Sequence, residues 1–557
     1  MEILDYITIV ITLGISTSIG FYYGFFKQSS TSEEYMMGGR KMKTIPIAIS
    51  LIASQVSPLS IMGFPSEIYL YGITFSFFFV MFMLVVLILN YLIIPIFYEN
   101  NVTNCYDYIE KRFDRRTMIF LKMLFFLQGY VYLPVISYLA SLALSDASGV
   151  NVHLVNTMLC SICIVYTMIG GIKAVVWTDV VQIFVICIAV ILISVIALIR
   201  VGSLEDVILK ASNLGILKLN TNFDLTSRAT VWNCSMSGLI VLTSYLGLNQ
   251  SCVQRIISLP SINHAKKALL IFTIGFLVMQ FIVIFLGVIM ASYFSDCDPL
   301  TDGHVKQSDN IVSYFVQQIS GEIPGMQGIF VSSIICAALS TISANVNALS
   351  GALFKDCVQP FIPTLKNDQF IIQLLVLASG VYMVLAGVFV DGLRSTSLQL
   401  IFTINNLAYA SFFTTFMLGF LAPRIHSKPM ILANICSFIL MTIVILTGQT
   451  QFNRGDFKYE SIERNTSYCI NESFIDDRPF PEPFDVFKMS YHWYSVFGAV
   501  TIWIVAEVLS KCLKKQEGER LDNRLFAYWI RTYSKKEKLR DLEVSFPLKS
   551  YVLGLDL

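Results

Sequence analysis

A short stretch of an apolar region, ISLIASQVSPLSIMG at 49–63, carries five residues that break the pattern: Ser54, Gln55, Ser57, Pro58 and Ser60. Pro58 has no N–H to donate to the carbonyl of Ser54, and its ring crowds the preceding turn. A helix interrupted here leaves the carbonyls from Ala53 to Val56 short of partners. Such backbone is tolerated at membrane depth only where protein or a water-filled cavity satisfies it. The stretch therefore predicts a broken membrane helix whose oxygens face a ligand site.

A second interruption lies in TSYLGLNQSCVQR, where Gly247 is surrounded by Ser244, Asn249, Gln250 and Ser251. If each stretch begins a unit of five spans, the two breaks occupy corresponding positions. Paired broken helices of this kind are typical of inverted-repeat transporters. Proline and glycine are also common in membrane helices without any such role, and that alternative stays open.

A third polar face lies in FVSSIICAALSTISANVNALSGALF at 330–354. Helical spacing places Ala337, Ser340, Thr341 and Ala344 on one face, flanked by Ser343 and Asn347. Uncharged hydroxyl and carbonyl oxygens suit a weakly held monovalent cation, whereas a divalent ion would call for carboxylates. The alternative is a stripe of small residues for close helix packing.

Asp179, in GGIKAVVWTDVVQIF, is an ionisable residue a few positions inside an apolar span. An ionised group at membrane depth predicts a functional site. The alternative is an interfacial residue that pairs with Lys173.

The composition places these residues in a membrane. The 557 residues are 55% hydrophobic and 14% charged, with a mean hydropathy of +0.67, which excludes a soluble globular chain. The net charge of +1 favours neither nucleic acid nor a strongly acidic partner. Apolar runs long enough to cross a bilayer predict about 13 spans, at 6–26, 44–64, 73–97, 118–145, 152–171, 176–199, 232–251, 268–293, 327–352, 371–393, 397–421, 429–447 and 490–511.

The short loops predict the orientation, because positive charge collects on the cytoplasmic side. With the N-terminus outside, the outer loops 65–72 and 146–151 contain no Lys or Arg, and the C-terminal tail is cytoplasmic. This tail is expected either to lie as a helix on the inner membrane surface or to be solvated. Two expected modifications fall on the predicted outer side: glycosylation of Asn465 and Asn471, and a disulfide between Cys297 and Cys469.

Several longer motifs carry a family resemblance. They are EEYMMGGRKM, PSEIYLYG at 65–72, YDYIEKRF at 106–113, GGIKAVVWTDVVQ at 170–182, GLNQSCVQRIIS at 247–258 and ALSTISANVNAL at 338–349. In this order they resemble the sodium/solute symporter family, most closely its animal branch of sodium-iodide, sodium-multivitamin and sodium-coupled monocarboxylate transporters.

The resemblance implies an all-α polytopic membrane protein with about 13 transmembrane helices and a five-plus-five inverted-repeat core. The expected units are a first helix and loop at 1–43, the first repeat at 44–200, the second repeat at 201–425, two peripheral helices with a glycosylated outer loop at 426–511, and a cytoplasmic tail at 512–557.

The family's shared sodium site maps onto oxygens of the first and third polar stretches: Ala53, Val56, Ala337, Ser340 and Thr341. A second sodium, present in some members, would use Asp179, Ser340 and Ser343. Ala344 stands where some relatives have serine, which places this second site in question. The expected substrate pocket contains Gln55, Ser57, Ser60, Tyr245 and Asn249. Relatives commonly have SAV where this chain has Ser57-Pro58-Leu59, so the pocket side of the break is expected to differ.

The implied function is sodium-coupled import of a small organic anion, either a monocarboxylate or a vitamin carboxylate such as biotin or pantothenate, across the plasma membrane. An inorganic anion such as iodide, or a sensor that binds without transporting, is the alternative. No organic cofactor is implied. An enzyme is not expected, because the five histidines are scattered over span ends and loops: His153, His264, His304, His426 and His492.

Overall fold

A computed structural model describes residues 1–26, 32–40, 42–102, 104–305, 307–321, 323–360, 368–390, 397–462, 486–513 and 522–531. Most of these residues are helical, and none of them forms a strand. The first half contains α1 (Ile3–Phe26), α2 (Ser32–Met37), α3 (Thr44–Gln55), α4 (Leu59–Tyr71), α5 (Ile73–Glu99), α6 (Cys105–Arg112), α7 (Arg115–Ser148), α8 (Val152–Val201) and α9 (Leu204–Asn213).

The second half contains α10 (Val231–Leu248), α11 (Gln250–Ile257), α12 (Ile262–Tyr293), α13 (Ile311–Ser320), α14 (Met326–Val358), α15 (Asp368–Val390), α16 (Ser397–Leu421), α17 (Ser427–Arg454) and α18 (Tyr491–Cys512). Long apolar helices dominate both halves, as expected for segments that must satisfy their backbone hydrogen bonds inside a bilayer.

Eleven helices of the described residues are long and apolar enough to cross a membrane, and the bent pair α3 and α4 makes a twelfth span. The predicted count of 13 is therefore not confirmed. The predicted spans 152–171 and 176–199 lie together in the 50-residue α8, on either side of Gly171, whose backbone is not helical (φ 57°, ψ −156°). A straight helix of that length would measure about 75 Å, far more than a bilayer core of about 30 Å.

The helix α14 occupies the centre of the bundle. In its most apolar window 94% of the residues are buried, compared with 28% for α1 and α18. It packs against α8, α7, α1 and α3. The helix that carries the small and hydroxyl residues is therefore surrounded by protein, which lets its polar side chains meet polar partners instead of lipid.

The first predicted break is present. The helices α3 and α4 meet at an angle of 55°, and α4 extends to Tyr71, beyond the expected end of this span at residue 64. The second break separates α10 from α11 at Asn249, whose backbone is extended. Both interruptions lie near the middle of the bundle, where α14 and α16 pack beside them.

The described part of the tail is short. Residues 523–525 form a single turn of 3-10 helix, and residues 525–527 are buried against the bundle. Within residues 522–531, Tyr528 and Trp529 are exposed, and the two expectations for the rest of the tail stay predictions.

Candidate functional site

The break after α3 leaves two carbonyls without their helical donors. In a continuous helix Ala53 would accept from the N–H of Ser57, and Ser54 would accept from residue 58. The N–H of Ser57 instead lies 3.4 Å from the hydroxyl of Ser60, and Pro58 has no N–H. The chain therefore exposes two oxygens on one side of the break.

The hydroxyl face of α14 meets these oxygens. Ser340 donates to the carbonyl of Ala53 at 2.9 Å and lies 3.1 Å from the carbonyl of Ala337 in its own helix. Thr341 donates to the carbonyl of Ser54 at 3.3 Å. The structure thus gathers neutral oxygens from two helices that are distant in the sequence.

All five residues of the predicted sodium site are fully buried: Ala53, Val56, Ala337, Ser340 and Thr341. The donor set consists of backbone carbonyls and hydroxyls with no formal charge, which fits a monovalent cation better than a divalent one. Sodium would be held here by these oxygens, and it would supply a positive charge shared between α3 and α14.

Asp179 is fully buried in α8, and its partner is not Lys173. One carboxylate oxygen accepts from Ser50 at 2.6 Å and from the guanidinium of Arg255 at 3.1 Å. Lys173 pairs with Glu34 at 2.5 Å. The interpretation of Asp179 as an interfacial partner of Lys173 is therefore wrong.

Arg255 also donates to the hydroxyl of Ser54 at 2.5 Å, so Ser54 joins the ion pair to the break. The third member of the predicted second sodium site, Ser343, donates to the carbonyl of Ser340 at 3.2 Å. The second carboxylate oxygen of Asp179 is buried and has no hydrogen-bond partner. One acceptor of the carboxylate is therefore left for another donor or a cation.

A cavity of about 80 Å³ lies beside the break. Of the residues expected in the substrate pocket, Gln55, Ser57, Ser60 and Tyr245 line this cavity, whereas Asn249 does not. The side chain of Asn249 instead accepts the N–H of Ser251 at 2.9 Å and caps α11. Asparagine is a preferred residue at that position of a helix, which gives Asn249 a structural role.

Further polar residues complete the cavity, and the sequence did not identify them: Tyr132, Asn405, Asn406 and Tyr409. Tyr132 lines the cavity together with Ser57 and Tyr245. None of the lining residues is Lys, Arg, His, Asp or Glu. The paired amides Asn405 and Asn406 inside an apolar span were a usable signal, because amides at membrane depth usually have a polar partner.

A second buried ion pair lies at the other end of the broken span. Arg228 donates to both carboxylate oxygens of Glu67, at 2.7 and 2.8 Å, and to Gln399 at 3.0 Å. Burial alone would lower the pKa of the Arg228 guanidinium, but the adjacent Glu67 raises it well above its ordinary value. The pair ties α4 to the chain before α10 and, through Gln399, to the start of α16.

The predicted modifications are only partly within the described residues. Cys297 is disulfide-bonded, and its predicted partner, Cys469, lies outside the described residues, as do the two predicted glycosylation positions, Asn465 and Asn471.

Comparisons with known proteins agree with this arrangement. The chain is 28% identical over 550 residues to sodium-coupled monocarboxylate transporter 2 of Mus musculus, covering 96% of this chain and 88% of the relative. It is 30% identical over 527 residues to a putative sodium-dependent multivitamin transporter of Drosophila melanogaster, covering 91% and 86%.

Among solved structures, a Na⁺-coupled sialic acid symporter in a substrate-bound outward-open state superposes with a TM-score of 0.74 at 20% identity, covering 92% of this chain and 98% of that one. This likeness shows that the fold is shared. The sodium:solute symporter family model matches residues 35–436. This protein, in which the oxygens of a broken helix face the hydroxyls of a central helix, therefore belongs to the sodium:solute symporter family.

Proposed function

We propose that this chain imports a small organic anion together with sodium, by alternating access, across the plasma membrane with its N-terminus outside. The observation that carries the proposal is the meeting of Ser340 and Thr341 with the carbonyls of Ala53 and Ser54. This cluster lies beside a cavity that is polar but contains no fixed charge.

Sodium would couple to transport through the position of its ligands. Ala53 and Val56 lie at the break, whereas Ala337, Ser340 and Thr341 belong to α14. An ion bound among them would hold α3 against α14, and loss of the ion would release that contact. Binding energy for sodium is in this way converted into a preference for one conformation.

A second sodium, held by Asp179, Ser340 and Ser343, would set the stoichiometry. One sodium carried with one monovalent anion moves no net charge. A second makes import electrogenic and adds about 2.3 kcal/mol per 100 mV of membrane potential. The unpartnered oxygen of Asp179 supports this role.

The cavity suits a carboxylate because it offers hydroxyl and amide donors: Ser57, Ser60, Tyr132, Tyr245 and Asn405. A carboxylate is an acceptor that can take several such hydrogen bonds. Recognition without a fixed arginine or lysine also lets the anion leave again.

The names of the relatives favour a monocarboxylate as the first solute to test. Sodium-coupled monocarboxylate transporters 1 and 2 are among them, together with a putative multivitamin transporter. Both classes carry the carboxylate that the hydroxyl and amide donors of the cavity suit.

The test is uptake of labelled lactate, biotin, pantothenate and iodide into cells that express the chain, measured in sodium and then with choline in its place. We expect accumulation of lactate against its gradient in sodium only. Preferential accumulation of iodide would contradict an organic anion as the substrate and indicate an inorganic one.

Surface expression of the protein is measured in parallel, so that an absence of uptake can be interpreted. If the protein reaches the surface and none of the four solutes accumulates in sodium, the proposal is contradicted for these anions, and a sensor becomes the better assignment. Accumulation that persists in choline would contradict sodium coupling.

A further inference from the structure

Residues 522–531 of the C-terminal tail are attached to one end of the helix bundle. Residues 525–527 are buried. The N–H of Ala527 donates to the carbonyl of Phe420 at 3.0 Å, and the hydroxyl of Tyr108 donates to the carbonyl of Leu525 at 3.0 Å. The segment is therefore fastened to α6 and to the end of α16.

Charged groups add further attachments. The guanidinium of Arg531 lies 2.7 Å from the carboxylate of Glu99, the last residue of α5. The guanidinium of Arg112 lies 4.7 Å from the centre of the Phe526 ring and also donates to carbonyls at the end of α16, including that of Gly419 at 2.9 Å. One short segment thus contacts the ends of three elements, α5, α6 and α16.

The helix α6 connects this segment to the second break. The N–H of Cys105, the first residue of α6, donates to the side chain of Gln250 at 3.2 Å, and its thiol lies 3.3 Å from the carbonyl of Leu248. Asp107 pairs with Lys355, near the end of α14, at 3.0 Å. The helix α6 therefore contacts both the second break and α14 directly, so a movement of α6 would act on both.

We propose that residues 522–531 form a regulatory strap, which holds α5, α6 and α16 together and slows opening of the predicted cytoplasmic side. This inference rests on the proposed transport function and adds a control of its rate. The side chains of Arg531 and Glu99 remain 19% and 48% exposed, so a change of charge in the tail can weaken this ion pair from the solvent side. Release of the strap frees α6, and through it α11, to move.

A native cysteine reports on this movement. Cys252 in α11 is 1% exposed and accepts a hydrogen bond from Gln55, which lines the cavity. Opening of the path between the cavity and the α6 end of the bundle would expose its thiol. Modification of Cys252 by N-ethylmaleimide, followed by mass spectrometry, therefore measures opening without any substrate.

The experiment uses the purified full-length chain and two readouts, hydrogen exchange of residues 522–531 and the modification rate of Cys252. In F526D an aspartate replaces the buried ring. We expect faster exchange of the segment and at least a threefold faster modification of Cys252. The matched control is W529A, because Trp529 lies in the same segment and is 51% exposed. Both readouts should stay unchanged in W529A.

Two results would overturn the strap. One is faster exchange of residues 522–531 with an unchanged modification rate of Cys252, which would make the segment a passive attachment. The other is unchanged exchange in F526D. If F526D fails to fold, R531E provides the same comparison from the solvent-exposed end. Because neither readout uses a solute, failed uptake would contradict the proposed function and leave this result standing.

Discussion

The guanidinium of Arg255 lies 3.1 Å from the carboxylate of Asp179, and the two side chains are only 2% and 0% exposed. A buried ion pair is costly to desolvate, and removal of one partner leaves the other uncompensated. Arg255 also contacts the hydroxyl of Ser54, whose carbonyl accepts from Thr341. A single residue, Ser54, therefore separates the ion pair from the proposed sodium ligands.

The first prediction concerns this pair. D179N should destabilise the protein by about 3–5 kcal/mol, because Arg255 stays buried without a counter-charge, and it should lower or abolish the sodium-dependent inward current. The measurements are the melting temperature in detergent and the current under voltage clamp. Unchanged current and uptake in D179N would contradict a second sodium at Asp179.

The double variant D179N/R255Q separates the two roles of Asp179. It removes both charges, so we expect it to regain most of the lost melting temperature. If Asp179 is a sodium ligand, the current stays low despite that recovery. Recovery of stability and current together would assign Asp179 to pairing alone.

The second prediction concerns the sodium site. S340A and T341A each remove one hydroxyl ligand, and a hydrogen-bonding group is worth about 1.5–3 kcal/mol toward a charge. We therefore expect the sodium concentration for half-maximal uptake to rise about tenfold or more. The control is S333A on the same helix, because Ser333 bonds only the carbonyl of Phe330. An unaltered sodium dependence in both ligand variants would count against the site.

Local chemistry made the interruption and the hydroxyl face of α14 predictable. The break follows from the missing N–H of Pro58, and the hydroxyl face of α14 follows from the spacing of Ser340 and Thr341. Both are properties of short stretches of sequence, and the fold places the two stretches in contact. Ser340 and Thr341 lie 2.9 and 3.3 Å from the carbonyls of Ala53 and Ser54, and their role as sodium ligands stays a prediction.

Contacts between distant helices could not be predicted in the same way. Arg255 is 76 residues from Asp179, and nothing in either local sequence identifies the other as its partner. Tyr132 lines the cavity from α7, which is distant in the sequence from the break. Asn249 does not line the cavity, because its side chain caps its own helix, a preference that the sequence did contain.

The third prediction concerns the cavity. Y245F removes one hydroxyl from the lining of the cavity, so we expect about a tenfold higher KM for the transported anion with a similar sodium dependence. The control is Y130F on α7, because the Tyr130 hydroxyl bonds Ser379 and does not line the cavity. Equal effects of the two substitutions on KM would place the anion elsewhere.

The fourth prediction concerns the pair at the far end of the broken span. Glu67 and Arg228 are 3% and 4% exposed, and both of their hydrogen bonds are short. E67Q leaves the buried guanidinium of Arg228 without a counter-charge. We therefore expect the free energy of unfolding to fall by about 3–5 kcal/mol and the melting temperature to fall with it. The double variant E67Q/R228Q should recover most of that loss, since it buries no unpaired charge. If the melting temperature of E67Q equals that of the wild type, this pair does not hold α4 in place. Movement of α4 would then not require the ion pair between Glu67 and Arg228 to break.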